Sequence, residues 1–110
     1  MEAGKRKIAV IGGGAWGLAL AAAAARAEGE VVLVSRRDPA GIPRGVKVIQ
    51  GMKEAAQHAR LVILATPSSV VRAVARDLGD HLDGSHYVIH GVCFFFNDTA
   101  TTEIYTISDI

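Results

Sequence analysis

Cysteine is almost missing: Cys93 is the only one in 110 residues, so no disulfide can form within the chain. That excludes a small secreted scaffold held together by disulfides. An excess of one charge is missing too. Twelve Lys and Arg stand against eleven Asp and Glu, a formal net charge of +1, which leaves no global footprint for nucleic acid or an acidic membrane surface. No apolar run is long enough to cross a membrane, and the first one, after Met1–Lys7, is too short for the core of a signal peptide. A soluble cytoplasmic protein is the expectation. Metal-ligand spacing is absent as well. His58, His81, His86 and His90 are scattered, with no carboxylate or cysteine placed to complete a site, so surface or core roles are expected for them and no metal.

What is present describes one globular domain. Half the residues are hydrophobic, and the charged fraction of 21% is too low and too mixed in sign for disorder. Ile8 to Ile11 is continuously apolar, as a strand buried on both faces of a parallel sheet should be. Gly12–Gly14 breaks it, and Ala15 to Ala27 follows, dominated by the strong helix formers alanine and leucine. Gly29 reads as the helix stop, and Val31 to Val34 as a second strand. Further strands are expected at 46–49, 61–65 and 87–89, and helices at 52–59 and 70–78. Ser68 and Ser69 should cap the latter, whose Val70, Val71, Val74 and Leu78 share one face. Strand and helix alternate throughout, which predicts an α/β fold with a parallel, doubly wound sheet.

The glycine turn carries the chemistry. Gly12-Gly13-Gly14-Ala15-Trp16-Gly17 matches G-x-G-x-x-G, directly after a strand and directly opening a helix. Gly12 is expected to permit the tight turn, Gly14 to let backbone approach a diphosphate, and Gly17 to let the helix pack onto the first strand. Free N–H groups of the first helical turn, with the helix dipole behind them, would face the phosphates.

The end of the second strand sets the cofactor preference. An acidic residue there suits the ribose 2′-hydroxyl of NAD, whereas arginine accommodates the 2′-phosphate of NADP. Here the residues are Ser35, Arg36 and Arg37, a hydroxyl and two guanidinium groups, so NADP(H) is preferred. Asp38, one step on, keeps NAD as the second choice. Thr66-Pro67-Ser68-Ser69 closes another strand at the sheet edge where ligands lie. Pro67 should rigidify the turn, and the hydroxyls of Thr66, Ser68 and Ser69 with the helix N-terminus either face the cofactor or merely begin a helix. Pro67 and Ser68 are counted among the cofactor contacts.

Residues 93–110 break the pattern. They hold all three Phe, four of the five Thr, three acids and no base, whereas all twelve basic residues lie before them. The segment closely resembles the peptide obtained when sequencing-adapter DNA is translated as though it were gene. Residues 1–92 are therefore expected to form the dinucleotide-binding domain, truncated, and 93–110 a non-native tail. The other reading is a divergent β-rich end.

The stretches Lys7-Ile-Ala-Val-Ile-Gly-Gly-Gly-Ala-Trp-Gly-Leu-Ala-Leu and Val62-Ile-Leu-Ala-Thr-Pro-Ser-Ser-Val-Val-Arg resemble bacterial-type NAD(P)-dependent glycerol-3-phosphate dehydrogenase. The resemblance implies a Rossmann-type domain lacking the C-terminal helical domain. It implies cofactor contacts at Ala15, Trp16, Arg36 and Arg37, and hydride transfer between a nicotinamide and dihydroxyacetone phosphate for phospholipid synthesis. The full-length parent would be a homodimer acting on this small phosphorylated substrate. Two departures stand out: the loop 38–45 is shorter than the family's, and 87–90 leads to Gly91-Val92-Cys93 without a basic residue. The family's catalytic lysine lies in the missing domain. No catalytic residue is expected in this chain, since ketone reduction needs a proton donor and a stabiliser of carbonyl charge. The rival readings are a ketopantoate-reductase-like or hydroxyacid dehydrogenase, or a nucleotide-sensing domain of the same fold without chemistry.

Overall fold

A computed structural model describes residues 6–36, 39, 41–96 and 99–106, with side chains through residue 90. The chain runs β1 (Lys7–Ile11), α1 (Ala15–Arg26), β2 (Glu30–Val34), β3 (Val46–Ile49), α2 (Met52–His58), β4 (Leu61–Leu64), α3 (Val71–Gly79), β5 (Tyr87–Phe96) and β6 (Thr99–Thr106). The strands form one sheet in the order β3-β2-β1-β4-β5-β6. β1 to β5 are parallel. This is the doubly wound Rossmann-type arrangement that the alternating apolar runs predict.

The apolar runs are continuous because both faces of the sheet are covered. Val10, Val31 and Leu33 point to the face of α1, where they pack with Ala21 and Ala65. Their sequence neighbours Ala9, Ile11, Val32 and Val34 point the other way, to Ala55 and Ala56 of α2 and to Ala75 and Leu78 of α3. Leu33, Leu64 and Leu78 are fully buried, each worth roughly 1.5–3 kcal/mol relative to exposure. The alanine series of α1 keeps that helix close to the sheet: Gly17 and Ala21 are its buried positions.

Three local expectations are corrected. Gly29 does not take the left-handed position that ends α1; Glu28 does, with φ 62°. Glu28 N–H donates to the Ala25 carbonyl and Gly29 N–H to the Ala24 carbonyl, both near 3 Å, the paired closure of a Schellman motif. Glycine is needed one step later, because a Cβ at Gly29 would lie 2.8 Å from the Ala24 carbonyl oxygen. Ser68 and Ser69 do not cap α3, whose N-cap is Val70 without a side-chain hydrogen bond. A turn closed by Val70 N–H on the Pro67 carbonyl at 3.0 Å precedes the helix, and leaves Val70 42% exposed rather than on the buried face.

The strand expected at 87–89 continues to Phe96 and pairs with an antiparallel β6, in register from Ile89↔Thr106 to Phe96↔Thr99. Two residues separate these strands in the sequence, and so short a connection pairs neighbours only antiparallel.

Candidate functional site

Strand order dictates where a ligand fits. From β1 the chain winds outward through β2 to β3, then crosses by α2 to β4 on the other side of β1. The reversal opens a crevice at the carboxyl ends of β1 and β4. A cleft of about 420 Å³ lies there, lined by Gly12, Gly13 and Gly14, by Ser35 and Arg36, and by Thr66. Ile11, Val34, Met52, Val70 and Val74 supply its apolar wall.

Hydrogen bonds between strands fix the turn. Gly12 N–H donates to the Val34 carbonyl at 2.9 Å, and Ala65 N–H to the Ile11 carbonyl at 2.8 Å. Gly12 sits at φ 124°, and a Cβ there would collide with the Ala65 carbonyl. Gly17, buried beneath the turn, packs its Cα against the Gly12 carbonyl, leaving no room for a methyl group. Gly13 is closed as well, since the Ser35 hydroxyl occupies the space a Cβ would take. Gly14 is the contrast. A Cβ there would meet nothing within 4 Å, so this glycine borders open space at the helix mouth.

That mouth suits an anion. No side chain caps α1 and no acidic residue stands in its first turn. The first N–H to close within the helix is that of Leu18, on the Gly14 carbonyl at 2.9 Å. The N–H groups of Ala15, Trp16 and Gly17 have no acceptor four residues back in the helix, and the helix dipole adds partial positive charge where they point. A diphosphate answers both features.

The expected site residues divide into three groups. Gly12, Gly14, Ser35 and Arg36 are brought together around the cleft. Gly17 supports the turn from below. Ala15 and Trp16 are exposed at the start of α1, Trp16 by 42%, and Pro67 and Ser68 are exposed beyond β4; none of these four is a cleft-lining residue. Arg37 lies outside the described residues, as does Asp38. Sequence reasoning missed Gly13 and Met52 as lining groups, and raised the Thr66 hydroxyl only as one of several in its turn. Gly13 carried a signal, being a third glycine at a position where the motif accepts any residue.

Arg36 is the one ionisable side chain lining the cleft among the described residues, and it stands at the end of β2. Among the described residues no three His, Cys, Asp or Glu come together to hold a metal, and no helix is long and apolar enough to cross a membrane.

Residues 7–90 match the family model described as NADP oxidoreductase, coenzyme F420-dependent. The chain is 27% identical over 113 residues to glycerol-3-phosphate dehydrogenase [NAD(P)+] of Fusobacterium nucleatum, covering 87% of this chain and 34% of that protein. It is 39% identical over 87 residues to the enzyme of the same name from Rhodopseudomonas palustris, covering 64% of this chain and 26% of that protein. The chain thus spans between a quarter and a third of the length of these curated relatives. Among solved structures, glycerol-3-phosphate dehydrogenase from Coxiella burnetii superposes with a TM-score of 0.70 at 22% identity, over 84% of this chain and 34% of that one. Pyrroline carboxylate reductase of Plasmodium falciparum, with NADP bound, gives 0.65 at 12% identity, over 96% and 49%. These two likenesses establish the fold. With the family model matching most of its length, the chain belongs to the NADP oxidoreductase, coenzyme F420-dependent family.

Proposed function

We propose that this chain is the nicotinamide-dinucleotide-binding portion of a cytoplasmic dehydrogenase and that it prefers NADP(H) to NAD(H). The observation that carries the reading is the glycine turn at the junction of β1 and α1, open at Gly14 and flanked by Ser35 and Arg36. A diphosphate seats on the uncapped helix mouth, and the adenosine ribose reaches the end of β2. There the Arg36 guanidinium meets a 2′-phosphate with charge-assisted hydrogen bonds that a 2′-hydroxyl does not match.

The whole protein's reaction is proposed as reversible hydride transfer between the nicotinamide and dihydroxyacetone phosphate, giving sn-glycerol 3-phosphate. Two curated relatives bearing the glycerol-3-phosphate dehydrogenase name support this substrate, as does the Gly-Ala-Trp-Gly form of the turn. The nicotinamide, when bound, supplies or accepts the hydride. Residues of this chain hold the dinucleotide, and Ile11, Val34, Met52, Val70 and Val74 keep water from one side of it. The functional unit is residues 1–92, and no role is assigned to 93–110. The family match, which ends at residue 90, supports that division. Because Arg36 is the sole ionisable lining group described and stands on the β2 side, the chain alone binds cofactor without reducing substrate.

The test is titration of the purified chain with NADPH and with NADH, for the parent and for Arg36→Ala. Loss of a charge-assisted contact should weaken NADPH binding by about tenfold or more and NADH binding by less than about twofold. Equal losses for both would refute the assignment of Arg36, and robust NADPH oxidation dependent on dihydroxyacetone phosphate would refute the division of labour.

A further inference from the structure

One polar atom of a cleft-lining residue has no use among the described residues. Thr66 follows β4, and its main chain abuts the glycine turn: its backbone nitrogen is 3.4 Å from where a Cβ of Gly12 would stand. Its hydroxyl oxygen, Oγ1, is buried and has no hydrogen-bond partner among the described residues. The apolar lining residues nearest in kind, Val70, Val74 and Met52, offer none. Buried hydroxyl groups in native proteins are overwhelmingly paired, because an unpaired one forfeits its hydration without compensation. A valine has the same shape and would fill this place at no such cost.

We infer that the Thr66 hydroxyl is a binding contact for the diphosphate–ribose backbone of the dinucleotide, a role that rests on the functional reading above. Thr66 lies across β1 from Ser35 and Arg36 in the sheet order, and it borders the same glycine turn. It therefore reaches the part of the ligand that NAD and NADP share, not the 2′ position that separates them. A hydroxyl can donate to a phosphate oxygen or accept from a ribose hydroxyl, and either bond completes its pairing on loading.

Calorimetric titration of the full chain with NADPH and NADH tests this with Thr66→Val and Thr66→Ser. Thr66→Val should weaken both dinucleotides alike, by about three- to tenfold, while Thr66→Ser stays within about twofold of the parent. Unliganded Thr66→Val should melt no lower than the parent, since the variant removes an unpaired group and keeps its volume. Unchanged affinity in Thr66→Val would overturn the inference alone. So would a loss of affinity accompanied by a lower melting temperature of the unliganded protein, which marks a structural role. Failure of the parent to bind either dinucleotide would overturn the functional reading, and this inference with it.

Discussion

The two edges of the sheet are built on opposite principles. At the carboxyl edge, hydrogen-bonding capacity is left open: an uncapped helix mouth and an unobstructed Gly14 border the cleft, and the hydroxyl of the lining residue Thr66 is unpaired among the described residues. At the amino edge there is a larger concavity, about 770 Å³, lined by Arg6, Lys7, His58, Arg60, His81 and His86 among others. There, however, the imidazoles of His58 and His86 are engaged within the fold. His86, its side chain 7% exposed, donates from Nε2 to the Ala56 carbonyl at 2.7 Å, and its Nδ1 lies 3.1 Å from Asp83. His58 donates to the Glu30 carbonyl at 3.0 Å, and Tyr87 N–H to the Arg60 carbonyl at 2.7 Å. Basic side chains at this edge also stand near the C-terminal ends of α2 and α3, where they complement the helix dipoles. Size alone would choose the amino edge; the proposed cofactor site at the carboxyl edge rests on its open polar groups.

The sharpest way to break that contrast lies inside the glycine turn itself. Gly17→Ala should destabilise the fold by about 3 kcal/mol, since its Cβ has only the Gly12 carbonyl to displace. Gly14→Ala should leave the unfolding midpoint within about 0.5 kcal/mol of the parent, as its Cβ enters open space. Yet it should weaken NADPH binding by about tenfold or more, because that space is where a diphosphate must approach. Urea unfolding and NADPH titration of both variants separate support from contact. Full affinity in Gly14→Ala would show that the open space is not used, and the two edges would no longer differ in kind.

A smaller effect is expected at the other edge. Removing the buried imidazole with His86→Ala leaves the Ala56 carbonyl without its donor and opens a gap between β5 and α2. That should cost about 2 kcal/mol of stability while NADPH affinity stays within about twofold. A matching fall in affinity would mean the amino edge communicates with the cleft.

How much of this was legible beforehand depends on the kind of contact. The first four strands were, because burial on both faces leaves a signature within each segment: β3 falls on residues 46–49 as read, and β1, β2 and β4 differ by one residue at an end. Arg36 was legible as a residue type at a known place in a known motif. Contacts made across the sheet were not. Nothing local to Gly13 announces that Ser35, more than twenty residues later, fills the space of its side chain. In the run Thr66-Pro67-Ser68 every residue carries or flanks a plausible group, and only the bend after β4 decides that Thr66 turns inward while Pro67 and Ser68 face solvent. At Glu28 and Gly29, the glycine served a close approach to Ala24 instead of the positive φ beside it.

The smallest predicted effect concerns protons at the amino edge. Asp83 has its pKa lowered from the ordinary 3.8, first by the Ser85 hydroxyl, 2.5 Å from its carboxylate, and next by the Ser85 N–H at 2.9 Å. A carboxylate whose pKa is lower folded than unfolded stabilises the fold above the unfolded value, and that contribution disappears as pH falls through the folded one. The window is therefore acidic, below about pH 4, and pH 7 lies on its plateau. Ser85→Ala removes the leading cause and leaves the backbone donor. Carboxyl resonances followed by NMR should show Asp83 titrating closer to 3.8 in the variant, and acid unfolding should begin at slightly higher pH. NADPH binding at neutral pH should not change, since the carboxylate is at the opposite end of the strands from the cleft. An Asp83 titration identical in both proteins would mean that the Ser85 hydroxyl bond does not persist in solution, and that the amino edge is less self-contained than its hydrogen bonds indicate.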